Sequence, residues 1–194
     1  MDTARYVFGV LLVIGLPPGM LWWFLVHPFV GFWRRVGAVE TLIIMSAIGV
    51  LGVVGLLAIK DTLLLTDYGT QPGLVALAAA LATGSVWIAV KRRKHLTTRI
   101  LVGLPELEES GHGGSLLSEG IYSRVRHPRY VEIVVGCLAY AVFANYLGAY
   151  IVAGLTVPVV HLIVLLEEKE LIDRFGDEYV DYAARVPRYI PRRG

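Results

Sequence analysis

Residues 7–26, 41–59 and 73–90 contain no Asp, Glu, Lys or Arg. A helix crosses the hydrocarbon of a bilayer with about 20 apolar residues, so each stretch is long enough to span it. A soluble chain of 194 residues has no core large enough to enclose three such helices. Composition agrees: 56% of the residues are hydrophobic and 18% charged, where soluble domains run near 45–50% and about 25%. The expected fold is therefore all-α, a polytopic transmembrane helical bundle. Residues 1–90 form its three-span N-terminal region, and residues 91–194 complete the same single domain.

The first stretch lacks the basic leader of a secretory signal peptide, and Pro17-Pro18 falls within it, so it reads as a retained span. Cys137 is the single cysteine, which rules out an internal disulfide and predicts a small buried packing residue.

Net charge is only +2, but the basic residues are segregated along the chain. Arg34 and Arg35 lie between the first two spans. Lys91, Arg92, Arg93, Lys94, Arg99, Arg124, Arg126 and Arg129 follow the third, and Lys169, Arg174, Arg185, Arg188, Arg192 and Arg193 lie in the tail. Only Arg5 and Lys60 fall on the opposite side. The positive-inside bias then puts the amino terminus outside and the carboxyl terminus in the cytoplasm. The same asymmetry reads the basic residues as topological, able to attract anionic membrane lipids, and predicts no nucleic-acid partner. Oligomeric state leaves no mark in the sequence.

Residues 91–130 are polar, and Gly111-His112-Gly113-Gly114 within them reads as a flexible connector, since no strand precedes it and no phosphate-loop pattern follows. Residues 131–166 are apolar apart from Glu132 and His161 and are broken at Asn145-Tyr146-Leu147-Gly148. They predict a C-terminal helical hairpin, for about five membrane segments in all. Its first arm, residues 131–145, reaches only about 22 Å, short of the ~30 Å hydrocarbon core.

A hairpin brings its two polar flanks, Arg126-His127-Pro128 and Glu167-Glu168, to one depth at the cytoplasmic face. Pro128 suits the first position of a helix, whose start leaves N–H groups near Arg129 and Tyr130 to favour an anion. Arg126 adds positive charge there. Glu167 and Glu168 suit an ammonium group, so the pair of flanks fits a zwitterionic ligand. The plainer reading, that Arg and Glu mark helix ends at the membrane surface, stays open on charge alone.

The ordered pieces Gly120-Ile121-Tyr122, Arg126-His127-Pro128-Arg129-Tyr130, an apolar hairpin, Glu167-Glu168, Phe175-Gly176-Asp177-Glu178-Tyr179, Tyr182, Val186-Pro187-Arg188 and Pro191 resemble the superfamily of isoprenylcysteine carboxyl methyltransferases and phospholipid methyltransferases. The match covers residues 120–194. The resemblance implies an S-adenosylmethionine pocket formed by Tyr122, His127, Tyr130, Glu167, Glu168 and Arg188, with Arg126 and His127 as catalytic candidates; Glu132 joins these candidates as an ionisable residue near a membrane span. It also implies a lipophilic acceptor in the membrane, first a prenylcysteine-like carboxylate, then a lipid amine or a small thiol. Glu132 departs from the pattern, where many members have glycine. It is either a functional intramembrane carboxylate or the partner of Arg129, three residues back on the same helical face.

His161 shares a helical face with Glu168 and is expected to be hydrogen-bonded inside the bundle or to line a substrate channel. Tyr179 and Tyr182 suit either adenine stacking or helix packing. His95, His112 and His127 lack metal-ligand spacing, and no metal site is expected. Two rival functions are an NADPH-dependent membrane reductase, against which the Glu-Glu and Phe-Gly-x-x-Tyr elements argue, and a non-catalytic membrane scaffold. The charge asymmetry is tested by topology: a reporter fused after Gly194 should be active only when it is one that works in the cytoplasm.

Overall fold

The computed structural model describes residues 1–26, 29–93 and 116–191. Among these, the chain runs through α1 (Asp2–Val26), α2 (Val30–Val36), α3 (Ala38–Ala58), the short α4 (Lys60–Leu63) and α5 (Pro72–Arg93). A 3₁₀ turn (Gly120–Ser123) follows, then α6 (Pro128–Ala144), α7 (Leu147–Phe175) and α8 (Asp177–Arg185). The protein is a polytopic helical bundle, in which α1, α3, α5 and α7 are long and apolar enough to cross a membrane. The fifth expected segment, α6, has 17 residues and reaches about 25 Å. The glycine-rich stretch 111–114 lies outside the described residues.

Helix α6 is the centre of the bundle, packed against α5, α1 and α7, while α1 also meets α3 and α7. Leu12, Val13 and Ile14 of α1, Cys137 and Ala141 of α6, and Ala149 and Ala153 of α7 form the main core with Leu64 and Tyr146. Cys137 is a buried packing residue. Pro17 and Pro18 sit inside a continuous α1, and the helix contributes three residues to that core. Small residues let α6 approach its neighbours closely, as bilayer-embedded helices require. At Gly136 a side chain would meet Ser85 Oγ of α5, which donates to the Glu132 carbonyl at 3.1 Å. Large apolar side chains point outward instead, including Val50, Leu51 and Val54 on α3 and Val86, Trp87 and Val90 on α5. Lipid tails are the solvent that makes such a surface stable.

The bundle is fastened at the end where α6 turns into α7. Asn145 ends α6 in the left-handed conformation, which asparagine tolerates better than most residues. The segment after α4 then takes the polar groups that the turn leaves open. Tyr68 N–H donates to the Asn145 carbonyl at 3.0 Å, Leu147 N–H to Thr66 O at 3.0 Å, and Asn145 Nδ2 to Gly69 O at 2.8 Å. Arg5, only 1% exposed, pairs with Asp67, donates to the Ala144 carbonyl at 3.1 Å and reaches Asp2 at 3.2 Å. A buried guanidinium is tolerable because carboxylates and a carbonyl replace its water.

Helix α7 has 29 residues, about 44 Å, so it outreaches both α6 and the ~30 Å hydrocarbon core. Its residues 147–166 lie beside α6, and its last turns, from Glu167, project beyond. That difference in length carries Glu167 and Glu168 past the start of α6, to the residues that precede Pro128.

Gly148 is needed at the start of α7, because a Cβ there would overlap the Leu63 carbonyl oxygen, whereas one at Gly154 would meet nothing. Gly148→Ala should therefore destabilise the protein by about 1–3 kcal/mol, and Gly154→Ala should be neutral or slightly stabilising. Thermal unfolding in detergent distinguishes the two, and equal midpoints would remove the close-approach argument.

Candidate functional site

The local sequence fixes the Arg126-His127 segment against the tail. Proline follows His127, so that residue is kept out of the helix; its φ of −120° and ψ of 57° make it the N-cap of α6, with Pro128 at the first position. The freed N–H groups of Arg126 and His127 donate to the carbonyls of Pro187 (2.9 Å) and Arg188 (3.0 Å). The segment after α8 therefore lies alongside the motif and delivers Arg188 to the end of α7.

One carboxylate gathers these segments. Glu168, only 7% exposed, accepts from Arg188 Nη2 at 2.7 Å and from Arg188 Nε at 2.9 Å. Arg126 Nη2 lies 3.0 Å from its Oε1, and His127 Nε2 lies 3.1 Å from the same oxygen. An ionised carboxylate only accepts, so Nε2 of His127 donates in this contact. Nδ1 faces Glu167 Oε2 at 3.8 Å. The side chain of Arg188 is partly exposed, and the Glu168 carboxylate beside it raises its pKa further above the ordinary range.

The aromatic residues of the tail close the site from outside the membrane segments. Tyr179 and Tyr182 pack on Val186, Leu171 and Phe175, and the Tyr182 hydroxyl donates to the Tyr122 carbonyl at 2.7 Å. Burial pushes the Tyr182 phenol up to about 12 and raises Tyr179, Tyr122 and Tyr189 as well. All four stay neutral through the physiological range. These two tyrosines serve helix packing in this arrangement.

The structure thus brings Arg126, His127, Glu167, Glu168 and Arg188 together. Tyr130 lies beside them, its ring 5.9 Å from that of His127, and Tyr122 is tied in through Tyr182. Four expectations are corrected. Glu132 does not depend on Arg129; it holds Arg92 of α5 instead, at 2.7 Å and 3.2 Å, while the Arg129 guanidinium lies 4.1 Å over the Trp23 ring. The N–H of Tyr130 is not open to an anion, because it returns to the His127 carbonyl at 3.2 Å. Arg126 and Glu168 are not separate anion and cation sites, since they pair with each other. His161 is hydrogen-bonded, through Nδ1 to the Tyr189 hydroxyl at 2.9 Å, but on an exposed face of α7 and not inside the bundle.

Arg92 is the one member of this end that its sequence context conceals, since it stands in a run of basic residues at a membrane edge. The available signal is Glu132 itself, a carboxylate in an apolar helix that requires a cation at its own depth.

Several buried polar atoms here have no hydrogen-bond partner among the described residues: Glu167 Oε2, Arg126 Nε, Tyr179 Oη and Arg92 Nη1. Such atoms are rare in folded proteins and call for a ligand or water. An acceptor on Glu167 and a donor on Arg126, held by His127 and Glu168 between them, suit the ammonium and carboxylate of an amino-acid moiety. The site therefore fits the methyl donor that the sequence resemblance implies.

A family model described as phospholipid methyltransferase matches residues 73–178, more than half of the chain and all of the site except the tail residues from Tyr179 to Arg188. Methanethiol S-methyltransferase 1 of Bradyrhizobium diazoefficiens is 40% identical over 73 residues, covering 38% of this chain and 25% of that protein. The nickel-cobalt-cadmium resistance protein NccN of Alcaligenes xylosoxydans is 31% identical over 77 residues, 40% of this chain and 36% of that protein. The chain thus spans only about a quarter to a third of the length of these curated relatives.

The two neighbouring carboxylates should respond differently to substitution. Glu168→Gln leaves two arginines facing each other without their counter-ion and should lower stability by about 2–5 kcal/mol, with protease cleavage appearing in residues 186–191. Glu167→Gln should leave the unfolding midpoint near that of the parent. Equal losses for both would show that Glu168 is not the clamp.

Proposed function

The chain belongs to the phospholipid methyltransferase family, and from that membership we propose that it is an S-adenosylmethionine-dependent methyltransferase acting on a lipophilic acceptor held in the bilayer. The observation that carries this reading is the set of unpartnered polar atoms beside His127: Glu167 Oε2 and Arg126 Nε. Glu167 would hold the ammonium of the amino-acid moiety and Arg126 its carboxylate. His127, Glu168 and Arg188 would keep both in place, with Tyr122 and Tyr130 enclosing the pocket.

When bound, S-adenosylmethionine supplies a methyl group on a positively charged sulfur, open to in-line attack. The chain's own part is then alignment and exclusion of water, which can contribute about 7–11 kcal/mol. The clamp on Glu168 fixes Arg126 and His127 before any ligand arrives. A carboxylate acceptor needs no base. A thiol or amine must lose a proton, and His127 Nδ1 is the acceptor best placed to take it, since Nε2 is committed to Glu168. Glu132, tied to Arg92, acts through that arginine.

A prenylcysteine-like carboxylate remains the first acceptor in this reading. The name of the Bradyrhizobium relative supports a thiol as the second, and a lipid amine follows from the family. The positive-inside bias supports an active site and carboxyl terminus in the cytoplasm. Arg126, Arg129 and Arg188 stand at the end of the bundle that holds the site, while Arg5 and Lys60 stand at the other.

Two measurements test the reading. S-adenosylhomocysteine should raise the unfolding temperature of the purified protein, and NADPH should not. Glu167→Gln should weaken S-adenosylhomocysteine binding more than about tenfold, the equivalent of ~1.4 kcal/mol, with the midpoint of the ligand-free protein unchanged. Stabilisation by NADPH, or by neither compound, would overturn the assignment.

A further inference from the structure

The mechanism leaves the part of Arg92 itself undefined, yet it is as unusual as any residue in the site. It is 6% exposed at the last turn of α5. Its Nε and Nη2 hold Glu132 at 2.7 Å and 3.2 Å, and its Nη1 is buried with no hydrogen-bond partner among the described residues. A two-point pair of this kind leaves the guanidinium no freedom to turn, so Nη1 keeps one direction. Its surroundings are those of the site. The 3₁₀ turn that carries Tyr122 packs on α5, and the charge of Arg92 acts on the Tyr122 phenol and on Arg129. Glu167 acts on the same two groups.

We propose that Arg92, fixed by Glu132, forms an anion subsite in which Nη1 receives an oxyanion of the acceptor, a carboxylate or a phosphate. Glu132 is the positioning residue of that subsite. The inference rests on the methyltransferase reading and adds to it the charge of the acceptor.

The balance of charge supports the sign. Arg92, Arg126, Arg129 and Arg188 face Glu132, Glu167 and Glu168, a surplus of one positive charge among these residues. A sulfonium donor with a zwitterionic amino-acid end adds another. A cationic acceptor would enter against that field, whereas an oxyanion reduces it. Charges at low dielectric feel such differences strongly. The unpartnered donor also has a cost of desolvation that an oxyanion removes and an ammonium does not.

The experiment uses the full chain in detergent and three probes with one alkyl tail, ending in a carboxylate, a phosphate or an alcohol. Arg92→Gln alone leaves the half-buried Glu132 without a counter-ion, so the informative variant is the double one, Arg92→Gln with Glu132→Gln, which replaces the ion pair by two neutral amides. Tryptophan fluorescence reports binding, with Trp23 beside Arg129 as the intrinsic signal. The parent should bind at least one of the two anionic probes more than tenfold tighter than the alcohol, and the double variant should lose that preference. Which anion is preferred identifies the acceptor's headgroup. S-adenosylhomocysteine affinity should be the same in both proteins. A parent that does not distinguish the probes, a preference that survives in the double variant, or a loss of S-adenosylhomocysteine affinity with it would each overturn the subsite. If the parent binds no S-adenosylhomocysteine, the methyltransferase reading fails separately, because the probe preference is measured without it.

Discussion

The Glu168 carboxylate is the contact on which the arrangement of this protein's functional end depends. Three side chains from two distant segments donate to it: Arg126 and His127 from the start of α6, and Arg188 from the tail. Without a shared anion, the two guanidiniums would repel each other at the depth where the hairpin leaves the bilayer. With it, the tail is drawn back across the bundle, and its carbonyls meet the N–H groups that Pro128 keeps outside α6. The backbone pairing and the ion cluster reinforce each other, since each fixes the register that the other needs.

The opposite end is solved by the same physics. Arg5 is buried among Asp67, Asp2 and the Ala144 carbonyl, and the loop after α4 takes the polar groups of the hairpin turn. Between the two ends the helices meet through small residues such as Gly136 and Ala141. Apolar contact in lipid discriminates poorly between one packing and another. Directional polar contacts at the two ends therefore select the register of the hairpin, and the apolar middle follows.

Much of this was legible in the sequence. The uncharged stretches marked α1, α3 and α5, and the break at Asn145 marked the hairpin, because length and charge alone decide what can cross a bilayer. The motif around His127 and the acidic pair marked the site. What escaped is pairing between charges distant in the chain. Arg92 stands among Lys91, Arg93 and Lys94 and looks like any other membrane-edge cation, yet it is turned inward to Glu132, forty residues away. Local spacing favoured Arg129 for that role, but the face of Trp23 holds its guanidinium. The N–H of Tyr130 was likewise misjudged, since the first turn of α6 tightens and returns it to His127.

The acidic pair shows why identity and adjacency are insufficient to assign roles. Glu167 and Glu168 differ by one step on α7, a rotation of about 100° for a helix of 3.6 residues per turn. That rotation turns one carboxylate into the cluster of cations and leaves the other beside His127 Nδ1 with an oxygen unpaired. A carboxylate already surrounded by three donors has little left to offer an incoming ammonium, whereas Oε2 of its neighbour has no hydrogen-bond partner among the described residues. The first therefore holds the frame, and in the proposed reading the ligand's ammonium falls to the second. A site made this way is organised before binding, which is the condition for alignment to lower a barrier. The same logic extends to Glu132. Its attachment to Arg92 converts an acid in an apolar helix into the support for a cation, and in the proposed subsite that arginine selects the acceptor's charge while the carboxylates hold the frame.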